Sequence, residues 1–506
     1  MQRVAVAIVG AGFAGIGAAI QLERAGRGDF VVLEQAAAIG GTWRDNVYPG
    51  VACDIPSHLY SYSFLPHPGW SRRFAPGDEI RAYLESCVDA AGIRDRIRLG
   101  DGLLDATWTG EHWRLRTARG ELAADAVVLA CGRLTEPRLP DVPGLADFDG
   151  PVVHSARWDP ALDLRGRRVA VIGTGASAVQ LAPELARDAE VVLFQRTPAW
   201  VLPRGDHVYR PEEQAAFDAD PVLVDAIRRE AYLAGEALVP QRMGDLDALD
   251  WAQARALAHL HAQVPDPVLR AALMPDYELG CKRAVFSDDL YPAIASGAIV
   301  LEPSALVGVR GAGATGTGGG GRGEECGGAG AHSSTGGVLL AASGREHEVD
   351  AIVVATGFET AAQPYARLVR GLGGETLAEH WAGGMVSVAS TMVAGFPDLY
   401  VLDGPNASLG HNSAILMIEA QLDYLLDALR HREATGRPLV PSAAAEAAYT
   451  RRIDEAAAGT VWLTGGCRSW YVDRGRLALL WPDTVEAFRE HGARFDPADF
   501  RTSVGA

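Results

Sequence analysis

Residues 4–9 form an unbroken apolar run, followed at once by Gly10-Ala11-Gly12-Phe13-Ala14-Gly15 and then by helix-period spacing to about Gly26. The pattern predicts a strand, a tight turn and a helix. A second apolar run, 30–33, ends in Glu34. The whole succession recurs further on, with an apolar run at 168–172, Gly173-Thr174-Gly175-Ala176-Ser177-Ala178, helical spacing to Arg187, and a strand at 190–194 that leads into Gln195-Arg196-Thr197. Two more runs, 126–132 and 350–357, each close on a glycine and read as crossings between the two repeated units. Residues 211–273 have helical spacing and almost no strand signal. Residues 404–412 form a polar loop ahead of an amphipathic helix reaching about His431.

The glycine spacing gives the two repeats a chemical meaning. In a strand–turn–helix unit the first glycine permits the turn, the second lets backbone approach a pyrophosphate, and the third lets helix and strand pack, with phosphate on the helix N-terminus. Gly10, Gly12 and Gly15 satisfy this pattern, and Glu34 stands where a carboxylate accepts both hydroxyls of an unphosphorylated ribose. That site suits FAD or NAD and repels a 2′-phosphate. In the second unit Gly173, Gly175 and Ser177 are followed by Arg196 and Thr197, a guanidinium and a hydroxyl in place of the acid, as a 2′-phosphate requires. The pair implies FAD plus NADPH in a flavin-dependent oxidoreductase. The expected fold class is therefore α/β, with two Rossmann-like dinucleotide-binding domains, both discontinuous in sequence, and a helical insertion. The expected FAD-binding domain takes 1–147 and 348–506, the latter including the C-terminal segment. The NADP-binding domain takes 148–210 and 276–347, and the insertion 211–275. The helix after residue 412 either aims its positive end at the flavin or is an ordinary capped surface helix.

Composition narrows the remaining classes. Among 506 residues, 46 Lys+Arg stand against 64 Asp+Glu, a formal charge of −18 with no basic tract, which argues against nucleic acid as a partner. One of those 46 is a lysine, Lys282. The six cysteines are scattered without CxxC or metal-ligand spacing, so a reduced, cytoplasmic setting is expected and no metal. Residues 4–22 carry no charge, but ten of the nineteen are Gly or Ala, so a membrane span is not expected. Residues 311–330 contain 11 glycines, read as a hairpin extension of no assigned function. Oligomeric state is not legible.

Two segments carry a more specific resemblance. Phe148-Asp-Gly150-Pro-Val-Val-His154-Ser-Ala-Arg-Trp158-Asp159 is similar to the FxGxxxHxxxW(P/D) fingerprint of Baeyer–Villiger monooxygenases, and Gly41-Thr42-Trp43-Arg-Asp-Asn-Val-Tyr48-Pro49-Gly50-Val-Ala-Cys-Asp54 resembles that family's GxWxxxxYPGxxxD pattern. With both glycine turns in family order, the resemblance runs from Ala5 to about Pro482. It implies that NADPH reduces FAD, that O2 adds to flavin C4a, and that the resulting peroxide anion converts a ketone to an ester or lactone. An anion in a dry site needs a cation that never donates its proton, which an arginine supplies. The family draws that arginine from a Gly-x-Lys/Arg-Arg segment, here Gly280-Cys281-Lys282-Arg283, so Arg283 is the expected catalytic arginine and Asp54 its paired carboxylate. The same resemblance implies Lys282 as a 2′-phosphate contact beside Arg196 and Thr197. It implies Thr42, Trp43, Asp54 and Tyr60 as flavin-site residues and Trp470 as a residue folding over NADP. His154 is expected to hold the interdomain linker, since no step needs its proton.

The nearest rival is a flavin-dependent S- or N-oxygenase using the same oxidant protonated. A disulfide reductase would need a CxxC pair, and a non-catalytic nucleotide sensor would not turn over NADPH.

Overall fold

The computed structural model of the protein describes residues 1–311 and 336–501, so most of the glycine-rich stretch lies outside the described residues. The first apolar run becomes the strand Gln2–Val9, which sits between Phe30–Glu34 and Gly120–Leu129 in an eight-stranded sheet. These three strands are parallel, with Val6 opposite both Phe30 and Ala126. Buried on both faces, they read as continuous apolar runs rather than alternating ones. The two antiparallel strands Leu103–Trp108 and Trp113–Thr117 extend the sheet on one side. The helix Phe13–Arg24 covers one face and packs on the long helix Ala414–Thr435. Gly17 permits that approach: a Cβ there would stand 3.1 Å from both Leu422 Cδ1 and Tyr62 Cε1.

The second repeat builds a wholly parallel five-stranded sheet in the order Ile299–Glu302, Glu190–Phe194, Arg168–Ile172, Ala351–Val354, Val152–His154. The strand Ala351–Val354 therefore belongs to this sheet, a few residues beyond the boundary expected at 347/348. A small antiparallel sheet, Leu306–Gly311 with Gly337–Ala341 and Glu346–Val349, flanks it. The helices Pro211–Ala219, Pro221–Glu236, Val239–Arg242, Leu246–Gln263 and Pro267–Leu273 occupy the stretch with helical spacing. Among the described residues no helix is long and apolar enough to cross a membrane.

Cysteine spacing gave no hint of pairing, yet the fold brings Cys281 and Cys467 together in a disulfide across 186 positions. Cys53, Cys87 and Cys131 are free.

A buried histidine makes the fold acid-sensitive. His58 is packed against Tyr209 and Phe217 with neither ring nitrogen hydrogen-bonded, and burial, together with the positive charges of His67 and Arg228, pushes its pKa down to about 4. The unfolded chain titrates near 6.5, so it binds a proton that the folded state refuses between those values. Stability is complete above pH 6.5 and falls as pH drops toward 4, by about 3 kcal/mol at most. The expected result is a steeper decline in Tm between pH 7 and pH 5 for the wild type than for His58→Leu; parallel declines would remove His58 as the cause.

Candidate functional site

Both glycine turns end at helices whose first turn is left bare. Gly10 has φ +107°, and a Cβ there would overlap the Ala130 carbonyl oxygen; one at Gly15 would overlap the carbonyl of Gly10. Strand and helix are thereby pressed together behind Gly12, which caps the helix Phe13–Arg24 with no side-chain hydrogen bond and no acid in its first turn. The unsatisfied N–H groups and the positive helix end remain for an anion. Gly41 faces this end, since a Cβ on it would come 3.0 Å from Gly12 Cα. Thr42 and Trp43 follow in the short helix Thr42–Asp45, and Trp43 Nε1 donates to Tyr60 Oη at 3.3 Å with the rings edge to face. Glu34 is buried, accepting the N–H groups of Ala11 at 2.9 Å and Ala36 at 2.8 Å, and pairs with Arg44 at 2.9 Å. Arg44 was missed in the sequence, where it reads as one of many arginines; the Glu34 partner shows it neutralising an otherwise isolated buried carboxylate.

The second turn repeats the arrangement with opposite charge. Gly175 caps the helix Ala176–Leu185 without a side-chain bond, and the space where its Cβ would point is open. Ser177 lies in the first turn of that helix, and Thr174 Oγ1 donates to the Thr197 carbonyl at 2.9 Å, fixing the strand end that presents Arg196. Arg196 is exposed, with no carboxylate within 4 Å among the described residues. Lys282 lies near it: burial and then the charge of Arg196 hold the ammonium below its ordinary pKa, and Nζ stands 4.6 Å from the Tyr277 ring centre. Two cations sharing one neighbourhood, with Asp276 acting on Lys282 but in no ion pair with either of them, form a receptor for a dianion.

Arg283 projects from the other end of this segment. It meets Asp54 in a bidentate ion pair, Nε to Oδ2 at 2.9 Å and Nη2 to Oδ1 at 2.6 Å, although the two residues are 229 positions apart. Asp54 raises the guanidinium's pKa further, so no proton leaves it in any physiological range. The side chains are 40% and 20% exposed, so the charge pair is reached by solvent rather than sealed in a packed core. Cys281, two residues before Arg283, is bonded to Cys467, which begins the loop carrying Trp470 and Tyr471. Trp470 is 37% exposed, whereas Tyr471 is buried.

The fingerprint segment is a joint. His154 Nδ1 accepts the Ala156 N–H at 3.1 Å, so Nε2 carries the proton and donates to the Gly357 carbonyl at 3.1 Å. Phe148 and Trp158 are buried, and Gly150 lies so close to the Asp350 carbonyl that a Cβ would overlap it. These residues tie the connection at 148–159 to the second crossing at 350–357. The helix beyond residue 412 is capped locally, Ser413 accepting the Ile415 N–H at 3.3 Å.

Similarity to known proteins agrees with this geometry. Residues 7–215 match the family model for pyridine nucleotide-disulphide oxidoreductases. A Baeyer–Villiger monooxygenase of Streptomyces coelicolor is 44% identical, covering 99% of this chain and 93% of its own length, and one of Pseudomonas aeruginosa is 39% identical over 99% and 91%. Among solved structures, an oxidised steroid monooxygenase bound to NADP superposes with a TM-score of 0.79 at 28% identity, and a closed cyclohexanone monooxygenase with 0.81 at 26%, each covering 97% of both chains. By its identity to those two bacterial enzymes over nearly the whole chain, the protein belongs to the Baeyer–Villiger monooxygenase family.

Proposed function

We propose that the protein is an FAD- and NADPH-dependent monooxygenase that inserts an oxygen atom from O2 beside the carbonyl of a small-molecule ketone, giving an ester or lactone. The observation that carries this reading is the Arg283–Asp54 pair, a permanent cation partly open to solvent and held by a carboxylate 229 positions away. The residues present fit the cofactors. The uncapped helix end at Gly12, with Gly10, Gly15 and Gly41 around it, would receive the FAD pyrophosphate, with Thr42, Trp43 and Tyr60 beside it. Glu34, held by Arg44, would take the ribose. Gly173, Gly175, Ser177, Arg196, Thr197 and Lys282 would hold NADP through its phosphates, with Trp470 closing over it. When bound, FAD supplies the oxygen-activating redox chemistry and NADPH the hydride. Arg283 then contributes fixed positive charge where negative charge must be stabilised, and Asp54 fixes the direction of its fork.

Domain limits of 1–147 with 355–506 and 148–210 with 276–354, the second boundary moved past the strand Ala351–Val354, and the insertion at 211–275 belong to the same reading, as does a cytoplasmic location supplied with reduced nicotinamide. Purified yellow protein given NADPH, air and paired ketone and thioether substrates is expected to form ester from the ketone. Sulfoxide with no ester from any ketone would transfer the protein to the heteroatom oxygenases.

A further inference from the structure

Arg242 closes the four-residue helix Val239–Arg242, and its side chain is directed inward: the residue is 6% exposed. Its Nε and Nη2 both donate to the Gly410 carbonyl, at 3.4 and 3.3 Å, and Nη1 donates to Gln241 Oε1. Three of the five guanidinium protons are thereby used, each on a neutral acceptor. Among the described residues no carboxylate lies within 4 Å of it. Its charged or titratable neighbours are Arg283, which adds repulsion, Tyr471, whose own pKa is raised by burial so that it stays neutral, and His411, whose pKa burial lowers and whose Nε2 stands 3.4 Å from Glu236 Oε1. The Tyr471 hydroxyl is itself buried without a hydrogen-bond partner.

This position is built in, not accidental. Gly280 has φ +99°, and a Cβ there would overlap Arg242 Nη1 and come 2.9 Å from Gln241 Nε2, so the glycine that opens the Arg283 segment is what admits the guanidinium. Gln241 holds the same backbone from the other side by donating to the Leu279 carbonyl. A buried cation without a counter-ion is costly, and pairing is the ordinary remedy. Arg283 cannot provide relief and already has Asp54. The Glu236 carboxylate beyond His411 is already taken by His411, Asn412 and the Val485 N–H, which leaves a ligand to bring the counter-charge to Arg242.

We propose that Arg242, with the Tyr471 hydroxyl, is a receptor for the carboxylate of the substrate, so that the preferred ketones are keto acids. The inference rests on the function proposed above. A carboxylate suits the two remaining N–H donors of a planar fork together with one hydroxyl donor. Arg242 is closed in and Arg283 is open, so the acid end lies deep and the carbonyl lies outward, toward the pair with Asp54. The phosphates of NADP have their own cations in Arg196 and Lys282.

The test uses holoenzyme and a series of methyl-ketone acids from 4-oxopentanoate to 8-oxononanoate, each against its methyl ester. Wild type is expected to favour the acid in kcat/KM, with an optimum at one chain length set by the distance between the two arginines. In Arg242→Met the acid-to-ester ratio is expected to fall by about 100-fold, mostly through KM, with Arg242→Lys retaining part of it. Calorimetric binding of the acids is expected to weaken in parallel, while the Kd for NADP+ keeps its wild-type value. Wild type that oxidises the esters but shows no acid preference at any length would overturn the inference and leave the monooxygenase reading intact. A ratio unaltered in Arg242→Met, or a weakened Kd for NADP+ in its place, would overturn it equally. No product from any acid or ester would instead defeat the proposed function.

Discussion

Arg283→Ala retains bound flavin and still oxidises NADPH, but it forms no ester. The expected loss in ketone oxidation is at least about 10³-fold, the scale on which a preorganised charge at a reacting centre acts. The separation of the two half-reactions follows from the geometry. The helix ends at Gly12 and Gly175, and the cations Arg196 and Lys282, are all untouched by removing the Arg283 guanidinium, which contacts Asp54. Asp54→Asn is expected to show the same split in milder form, since an amide can still accept one N–H of the fork but supplies no charge to hold it. Product assay by mass, beside NADPH consumption under air, gives both quantities. Ester formed by Arg283→Ala at more than a few per cent of the wild-type rate would sink the assignment, and a colourless variant would show that Arg283 serves flavin retention instead.

How much of this was legible in the sequence depended on the range of the interaction concerned. The two strand–turn–helix units are local, each written within some thirty residues as apolar period plus glycine spacing, and the strands Gln2–Val9 and Arg168–Ile172 fall on the runs that signalled them. The family patterns led to Asp54 and Arg283, which the fold unites across 229 positions. Long-range pairs without a pattern stayed invisible. Nothing in the spacing marked Arg44 as the partner of Glu34, because one arginine among forty-five looks like any other until its neighbours are known. Arg242 was hidden for the same reason: a helix-period segment does not say which of its arginines turns inward. The strand Ala351–Val354 could be recognised as a strand from its apolar run, but which sheet it joins is decided by Phe148–Gly150 packing on Asp350, a tertiary contact. The bond between Cys281 and Cys467 is the extreme case, since pairing depends on the approach of two loops that the sequence does not relate.

That bond makes a second large effect measurable. It fastens the segment carrying Lys282 and Arg283 to the first residue of the loop carrying Trp470, in a region where the neighbouring elements are short: the helix Val461–Thr464 and the two-residue strands Val472–Asp473 and Arg476–Leu477. Short elements contribute little order of their own, so the covalent tie supplies much of the constraint on where the loop rests. Closing a loop of 186 residues also restricts the unfolded chain, and its loss is expected to cost about 5 kcal/mol, or roughly 5 °C in Tm for a chain of this length. The double variant Cys281→Ser, Cys467→Ser is therefore expected to melt lower and to need more NADPH for half-saturation, with flavin content unaltered, because the tie lies on the side of Lys282 and not of Gly12. Thiol titration in denaturant must first give two fewer thiols before reduction than after it. Equal counts would show that the bond does not form in the isolated protein. A double variant with the wild-type KM for NADPH would show that the loop reaches its position without the tie.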